Sequence, residues 1–167
     1  MQPDEMREKA ITLFEQQMHC SQVLAMVGLE KLGVDEPAVI KALGAFGGGI
    51  GGTGHICGAL VGAASVIGAL YSRASLEGKE NPRMWAATKE VMTRFTELTA
   101  PFGGIDCDQI AQVDWMDRNQ VKEYYGNPGS SRQQCRMVVA ETAKALGELL
   151  EQEIERMAAK QAEQHGK

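Results

Sequence analysis

Residues 44–71 read GAFGGGIGGTGHICGALVGAASVIGALY, and the two halves of this stretch make opposite demands on the backbone. From Ile56 to Tyr71 the chain is apolar and free of charge and proline, with no period-two alternation, which predicts a buried core helix. This apolar run is 16 residues long, short of the roughly 20 that a membrane-spanning helix needs. Ahead of it, Gly47, Gly48, Gly49, Gly51, Gly52 and Gly54 form a loop with few side chains to pack and much entropy to lose on folding. Such a loop is expected where backbone N–H groups come close to a bound group. Gly49 to Gly54 fits G-x-G-x-x-G, but a helix precedes it and no Gly-Lys-Ser/Thr follows, so the context of a nucleotide site is missing. Gly54, Gly58 and Gly62 recur every fourth residue, which predicts a helix face open to close approach by a neighbouring helix.

Outward from this stretch the pattern stays helical. Asp4 is expected to cap a first helix carrying Ile11, Leu13 and Phe14, and a second begins near Cys20 and stops at Gly33. Asp35 is expected to cap a third helix with Pro37 in its first turn, and the fourth runs from Ile56 to about Arg73. A fifth carries Val91, Phe95 and Leu98 and ends at APFGG; Asp106 caps a short helix through Val113, and residues 114–131 read as turns with a helical piece around Val121. The last helix runs from about Arg132 to Ala162. These elements define an all-α chain, one compact domain over residues 1–167 with five to seven helices and a glycine-rich loop before a buried central helix. Residues beyond Glu151 are polar enough to project or fray.

The formal charge of −5 and scattered lysines and arginines exclude a polyanion-binding field, so nucleic acid is not an expected partner. The polar start MQPDEMREKA lacks a signal-peptide pattern, and a cytoplasmic protein without membrane attachment is expected. In a reducing compartment the four cysteines read as metal ligands or redox groups in preference to structural disulfides. Each of Cys20, Cys57, Cys107 and Cys135 falls in the first turn of an expected helix, where the dipole favours a thiolate. Cys57, beside the glycine loop, has the most favourable surroundings, whereas Asp106 and Asp108 make Cys107 a poor free nucleophile and tilt the reading towards metal ligation. Successive cysteines are separated by 36, 49 and 27 residues, with no C-x-x-C pair. That argues against a compact structural zinc site, thioredoxin-like chemistry and c-type haem attachment, and spacing alone equally allows four separate buried cysteines. His19 and His55 stand near Cys20 and Cys57 as candidate additional ligands or proton donors.

With Cys20 before an amphipathic helix, FGGGIGGTGHICGALVGAASVIGALYSR at the centre, and Cys107 and Cys135 following, the chain resembles the C_GCAxxG_C_C family, to which a redox role is attributed. The likeness runs from about Leu13 to Leu150, with Cys57-Gly58-Ala59 and Gly62 in an order that departs from the family label. A similar domain in split-Soret type cytochromes implies electron transfer and an iron-sulfur centre without haem. The resemblance thus implies an iron-sulfur cluster on Cys20, Cys57, Cys107 and Cys135, N–H groups from Gly47 to Gly54 that hydrogen-bond to the cluster or its sulfurs, and a redox partner protein, with a homodimer allowed. The alternatives are thiol-disulfide exchange with Cys57 as the attacking thiolate, and a zinc-binding or metal-free helical module whose last helix meets a partner.

Overall fold

A computed structural model describes the backbone of residues 1–165 and the side chains through residue 163. The described residues form eight α-helices: α1 (Pro3–Glu15), α2 (Cys20–Leu32), α3 (Pro37–Leu43), α4 (Gly58–Tyr71), α5 (Arg83–Thr99), α6 (Cys107–Ala111), α7 (Arg118–Gly126) and α8 (Arg132–His165). No strand occurs among the described residues, and no helix is long and apolar enough to cross a membrane. The piece expected around Val121 is α7, capped by the Asp117 carboxylate on the N–H groups of Asn119 and Gln120.

Helix α4 is the central element, with Ala59, Leu60, Ala63, Val66 and Ile67 buried against α2, α5 and α8. Glycine sets how closely α2 lies. A Cβ on Gly62 would overlap the Ser21 backbone, and one on Gly28 would fall 2.5 Å from the Val66 side chain. The close-approach face is therefore real but consists of Gly58 and Gly62; Gly54 lies outside the helix. On the other side, α1 packs along α8, burying Met6, Ala10 and Phe14 in the same core as Leu146, Leu149 and Leu150.

Local chemistry explains most helix ends. Gly33 closes α2 in the left-handed region (φ 69°), and Asp106 opens α6 with a capping box to Gln109. Two caps differ from expectation, because proline fixes φ for the first helical position and the residue before it becomes the cap. Gln2, ahead of Pro3, therefore caps α1 in place of Asp4, and Glu36, ahead of Pro37, caps α3 in place of Asp35. Asp4 instead pairs with Lys144 of α8 at 2.7 Å.

The polar tail begins later than its composition implies. Glu153 is fully buried, and only after it do residues 154–163 turn to solvent, with Met157 alone half-buried. Residues 166 and 167 of the expected projecting end lie outside the described residues.

Candidate functional site

The glycine loop is a left-handed helical turn. Gly48, Gly49, Ile50, Gly51 and Gly52 have φ of 63°, 69°, 64°, 64° and 77° in succession, a path costing an L-residue about 1–2 kcal/mol at each step and glycine almost nothing. It is closed by its own bonds: Gly51 N–H to Ala45 O (2.8 Å), Gly52 N–H to Gly47 O (3.2 Å), Gly54 N–H to Gly48 O (3.1 Å) and His55 N–H to Gly49 O (3.2 Å). The N–H groups of Gly51, Gly52 and Gly54 are thus engaged within the turn, and of the six glycines expected to face a bound group, Gly48 lines the cavity described below. Glycine serves chiefly to let the chain take this path. Ile50 is the exception, a β-branched residue held at positive φ with its side chain partly exposed. Ile50→Gly is expected to raise stability by about 1 kcal/mol, read as a shift of the urea midpoint at unchanged slope.

The turn folds back onto a short antiparallel bridge between Ile56 and Asp106. Cys57 N–H donates to Ile105 O (3.0 Å), Cys107 N–H to His55 O (2.7 Å) and Asp108 N–H to Gly54 O (2.9 Å). These three bonds bring together two cysteines with 49 residues between them in sequence. Cys57 caps α4 and Cys107 is the first residue of α6. Cys20, first in α2, reaches them because Gly58 has no side chain: a Cβ there would lie 2.7 Å from Cys20 Sγ. Cys135 enters from the first turn of α8.

All four cysteines are free thiols lining one cavity of about 50 Å³, together with Met18, Ile110, Trp115, Tyr124 and Arg132. That is room for roughly three to five waters. His19 lines it from an exposed position, whereas the His55 side chain is exposed and does not line it; His55 contributes its backbone to the bridge.

Of the four cysteines, Cys20 alone has a pKa shifted in the direction expected of a helix N-terminus. Its pKa is lowered, chiefly by a hydrogen bond from the Cys57 thiol and also by backbone N–H groups including those of Ser21 and Ala59, which together outweigh burial. Cys57, expected to be the best thiolate, is raised well above the usual thiol range, since it donates to Cys20 and is itself buried. Burial also pushes Cys107 to about 12, with the charges of Cys20, Cys135 and Asp108 adding to the rise. Cys135 likewise rises to about 12 through burial, opposed by hydrogen bonding from Tyr124 and the charge of Arg132. Desolvation outweighs the partial charge of a helix end at Cys107 and Cys135, and at Cys57 it adds to the hydrogen bond with Cys20.

Tyr124, Trp115 and Arg132 were not singled out in sequence, where residues 114–131 read as turns with a helical piece around Val121 and Arg132 only as the start of the last helix. In a chain with only 5% aromatic residues, Trp115, Tyr124 and Tyr125 within one polar segment were the available signal. Trp115 stands edge-on to Tyr124 at 5.1 Å, and Arg132 lies over the rings of Phe14 (4.8 Å) and Tyr125 (5.8 Å).

Among the described residues no group of three or more His, Cys, Asp or Glu side chains is gathered tightly enough to hold a metal ion. At metal–sulfur bonds of about 2.3 Å, a single tetrahedral ion requires sulfurs roughly 3.8 Å apart. The four thiols share a cavity without forming that set.

The family model described as "Putative redox-active protein (C_GCAxxG_C_C)" matches residues 18–149, a span that contains all four cysteines, the left-handed turn and the bridge. No curated protein and no solved structure matches the chain.

Proposed function

The chain belongs to the C_GCAxxG_C_C family of redox-active proteins, and from that premise we propose that Cys20, Cys57, Cys107 and Cys135 hold an iron-sulfur cluster used in electron transfer. The observation that carries this reading is the convergence of four free thiols, each from the start of a different helix, on one cavity. A cluster core spreads its four ligands farther apart than a single ion does, which suits four thiols that line one cavity without forming a single-ion set. The donor chemistry also suits it. The hydrogen bond to Cys20 together with burial raises the Cys57 pKa, and burial raises those of Cys107 and Cys135, so bare thiolates are disfavoured there, and a cationic iron core offsets their charge while displacing the protons. When bound, the cluster supplies a one-electron couple. The protein's part is to exclude water with Met18, Ile110 and Trp115 and to hold the sulfurs through the bridge and the α2–α4 contact.

Protein purified or reconstituted without oxygen is expected to be brown and to contain iron and sulfide. Cys→Ser at each of the four positions is expected to remove most of the visible absorbance. A colourless, iron-free protein after reconstitution refutes the cluster.

The Cys20–Cys57 contact favours a second reading, a dithiol that closes to a disulfide. There the Cys20 thiolate attacks a partner's disulfide, forming a mixed disulfide and releasing one partner thiolate; Cys57 loses its proton and attacks Cys20 Sγ, closing the Cys20–Cys57 disulfide and releasing the second partner thiol. This exchanges the roles expected from sequence, making Cys20 the attacking sulfur. Peptide mapping after mild oxidation of the metal-free protein is expected to find Cys20 joined to Cys57 if this chemistry operates. Four intact thiols count against it.

A further inference from the structure

Three buried side-chain nitrogen or oxygen atoms among the described residues have no nitrogen or oxygen hydrogen-bond partner, Trp115 Nε1, Arg132 Nε and Gln134 Oε1, and Trp115 Nε1 meets only the Cys107 thiol, a weak acceptor. Folded proteins leave few such atoms, since an unpaired buried donor costs about 1–3 kcal/mol, and each calls for an explanation. Two of the three are N–H donors, and both belong to residues that line the four-cysteine cavity.

Both side chains are held by packing. Trp115 packs edge-on against Tyr124, and a Cβ on Gly48 would rest 3.6 Å from its indole ring. Arg132 donates from Nη2 to Phe14 O at 2.8 Å and stacks over Phe14, which leaves Nε as its unpartnered donor. The other tryptophan shows what an indole N–H does when an acceptor is at hand: Trp85, largely exposed, donates to Glu80 at 2.9 Å. Both donors therefore belong to side chains that line the cavity beside its thiols, Trp115 next to Cys107 and Arg132, a cation, next to Cys135, and neutral thiols are weak acceptors. What satisfies such donors is an occupant that is rich in acceptor atoms and negatively charged.

We propose that the Trp115 indole N–H and the Arg132 Nε–H hydrogen-bond to sulfur atoms of the cysteine-held centre and keep its reduction potential high. The inference rests on the cluster reading above and adds two tuning residues to it. When the centre takes one electron from a one-electron donor, it gains a negative charge and no bond is made or broken. Donors and a positive charge facing its sulfurs stabilise that added charge, so the reduced state is favoured. Arg132 acts through charge and hydrogen bond, Trp115 through hydrogen bond alone.

The test is a redox titration of reconstituted Trp115→Phe and Arg132→Met, followed by visible absorbance, with Trp85→Phe as control. Both variants are expected to hold iron and sulfide at the wild-type level, with the ratio of reduced to oxidised centre at a fixed applied potential falling about tenfold, or about 59 mV for a one-electron couple. The control is expected to match wild type. Loaded variants that titrate at the wild-type potential overturn the inference and leave the cluster reading standing. A wild-type protein that takes up no iron overturns both. Should a variant fail to retain the centre, wild-type protein labelled with 15N at its indole nitrogens decides by electron–nuclear double resonance of the reduced centre. A nitrogen coupling supports the inference, because Trp85 is turned to Glu80, and its absence overturns it.

Discussion

Replacement of Glu153 by alanine is expected to cost about 3 kcal/mol of folding stability, lowering the melting temperature by roughly 10 °C. Glu153 is fully buried in the second half of α8, yet it is charged and saturated with partners. Arg83 reaches it with two nitrogens, Nε at 2.8 Å from Oε2 and Nη2 at 2.5 Å from Oε1, and Tyr71 donates its hydroxyl at 2.7 Å. The three residues come from α8, α5 and the last position of α4, so one carboxylate ties three helices. Removing it strands a guanidinium and a hydroxyl designed around it and leaves a void. Hydrogen bonding from Arg83, with help from Tyr71, holds the Glu153 pKa below the usual carboxylate range. A depressed carboxylate contributes its stability above the unfolded-state pKa, near 4.5, and loses it as pH falls through the lower folded value. Wild-type protein is therefore expected to lose stability more steeply below pH 4.5 than Glu153→Gln, whose site does not titrate; parallel curves in acid urea melts would refute this. Because Glu153 lies 18 residues beyond Cys135 on one helix, roughly 27 Å along its axis, the thiol reactivity of the folded variant is expected to be unchanged.

The second large effect is expected at Gly49. A Cβ there would lie 2.5 Å from His55 O, 2.6 Å from His55 N and 2.7 Å from Cys107 Cβ, in a residue already at φ 69°. Gly49→Ala therefore combines the left-handed penalty with overpacking against backbone that cannot yield without breaking the Ile56–Asp106 bridge, for a total of about 2–5 kcal/mol. Gly51 makes the control. Its φ is 64° but nothing lies within 4 Å of the added carbon, so Gly51→Ala is expected to cost only about 1 kcal/mol. In native thiol labelling, Gly49→Ala is expected to expose Cys57 and Cys107, whereas Gly51→Ala labels like wild type. Equal labelling in the two variants would show that the bridge does not depend on the turn.

The helices and the first-turn position of each cysteine were legible because both are written locally. Pro37, Gly33 and Asp106 each act within one turn of the chain, and a residue's place in a first turn follows from its neighbours. What could not be read was anything that couples distant segments. The Ile56–Asp106 bridge joins backbones with no side-chain signature, and it decides that Cys57 and Cys107 meet. Burial of Glu153 depends on Arg83 and Tyr71, some 70 and 82 residues away, so its own polar surroundings pointed to solvent. The thiol electrostatics failed for the same reason: dipole position is local, desolvation is not. For the glycine run, composition said that an unusual backbone was needed without saying which, since glycine permits every path alike.

That path has a chemical corollary in stereochemistry. A backbone that winds left-handed over five residues is the natural conformation of D-amino acids, whose sterics mirror those of the L-series. A semisynthetic protein with D-alanine at position 51 would sit in its preferred basin where L-alanine sits strained, and it would have fewer unfolded conformations to lose than glycine does. It is expected to melt above wild type, while the L-alanine variant melts below. The order D-alanine, glycine, L-alanine in melting temperature reports the handedness of the turn directly, without reference to any cofactor.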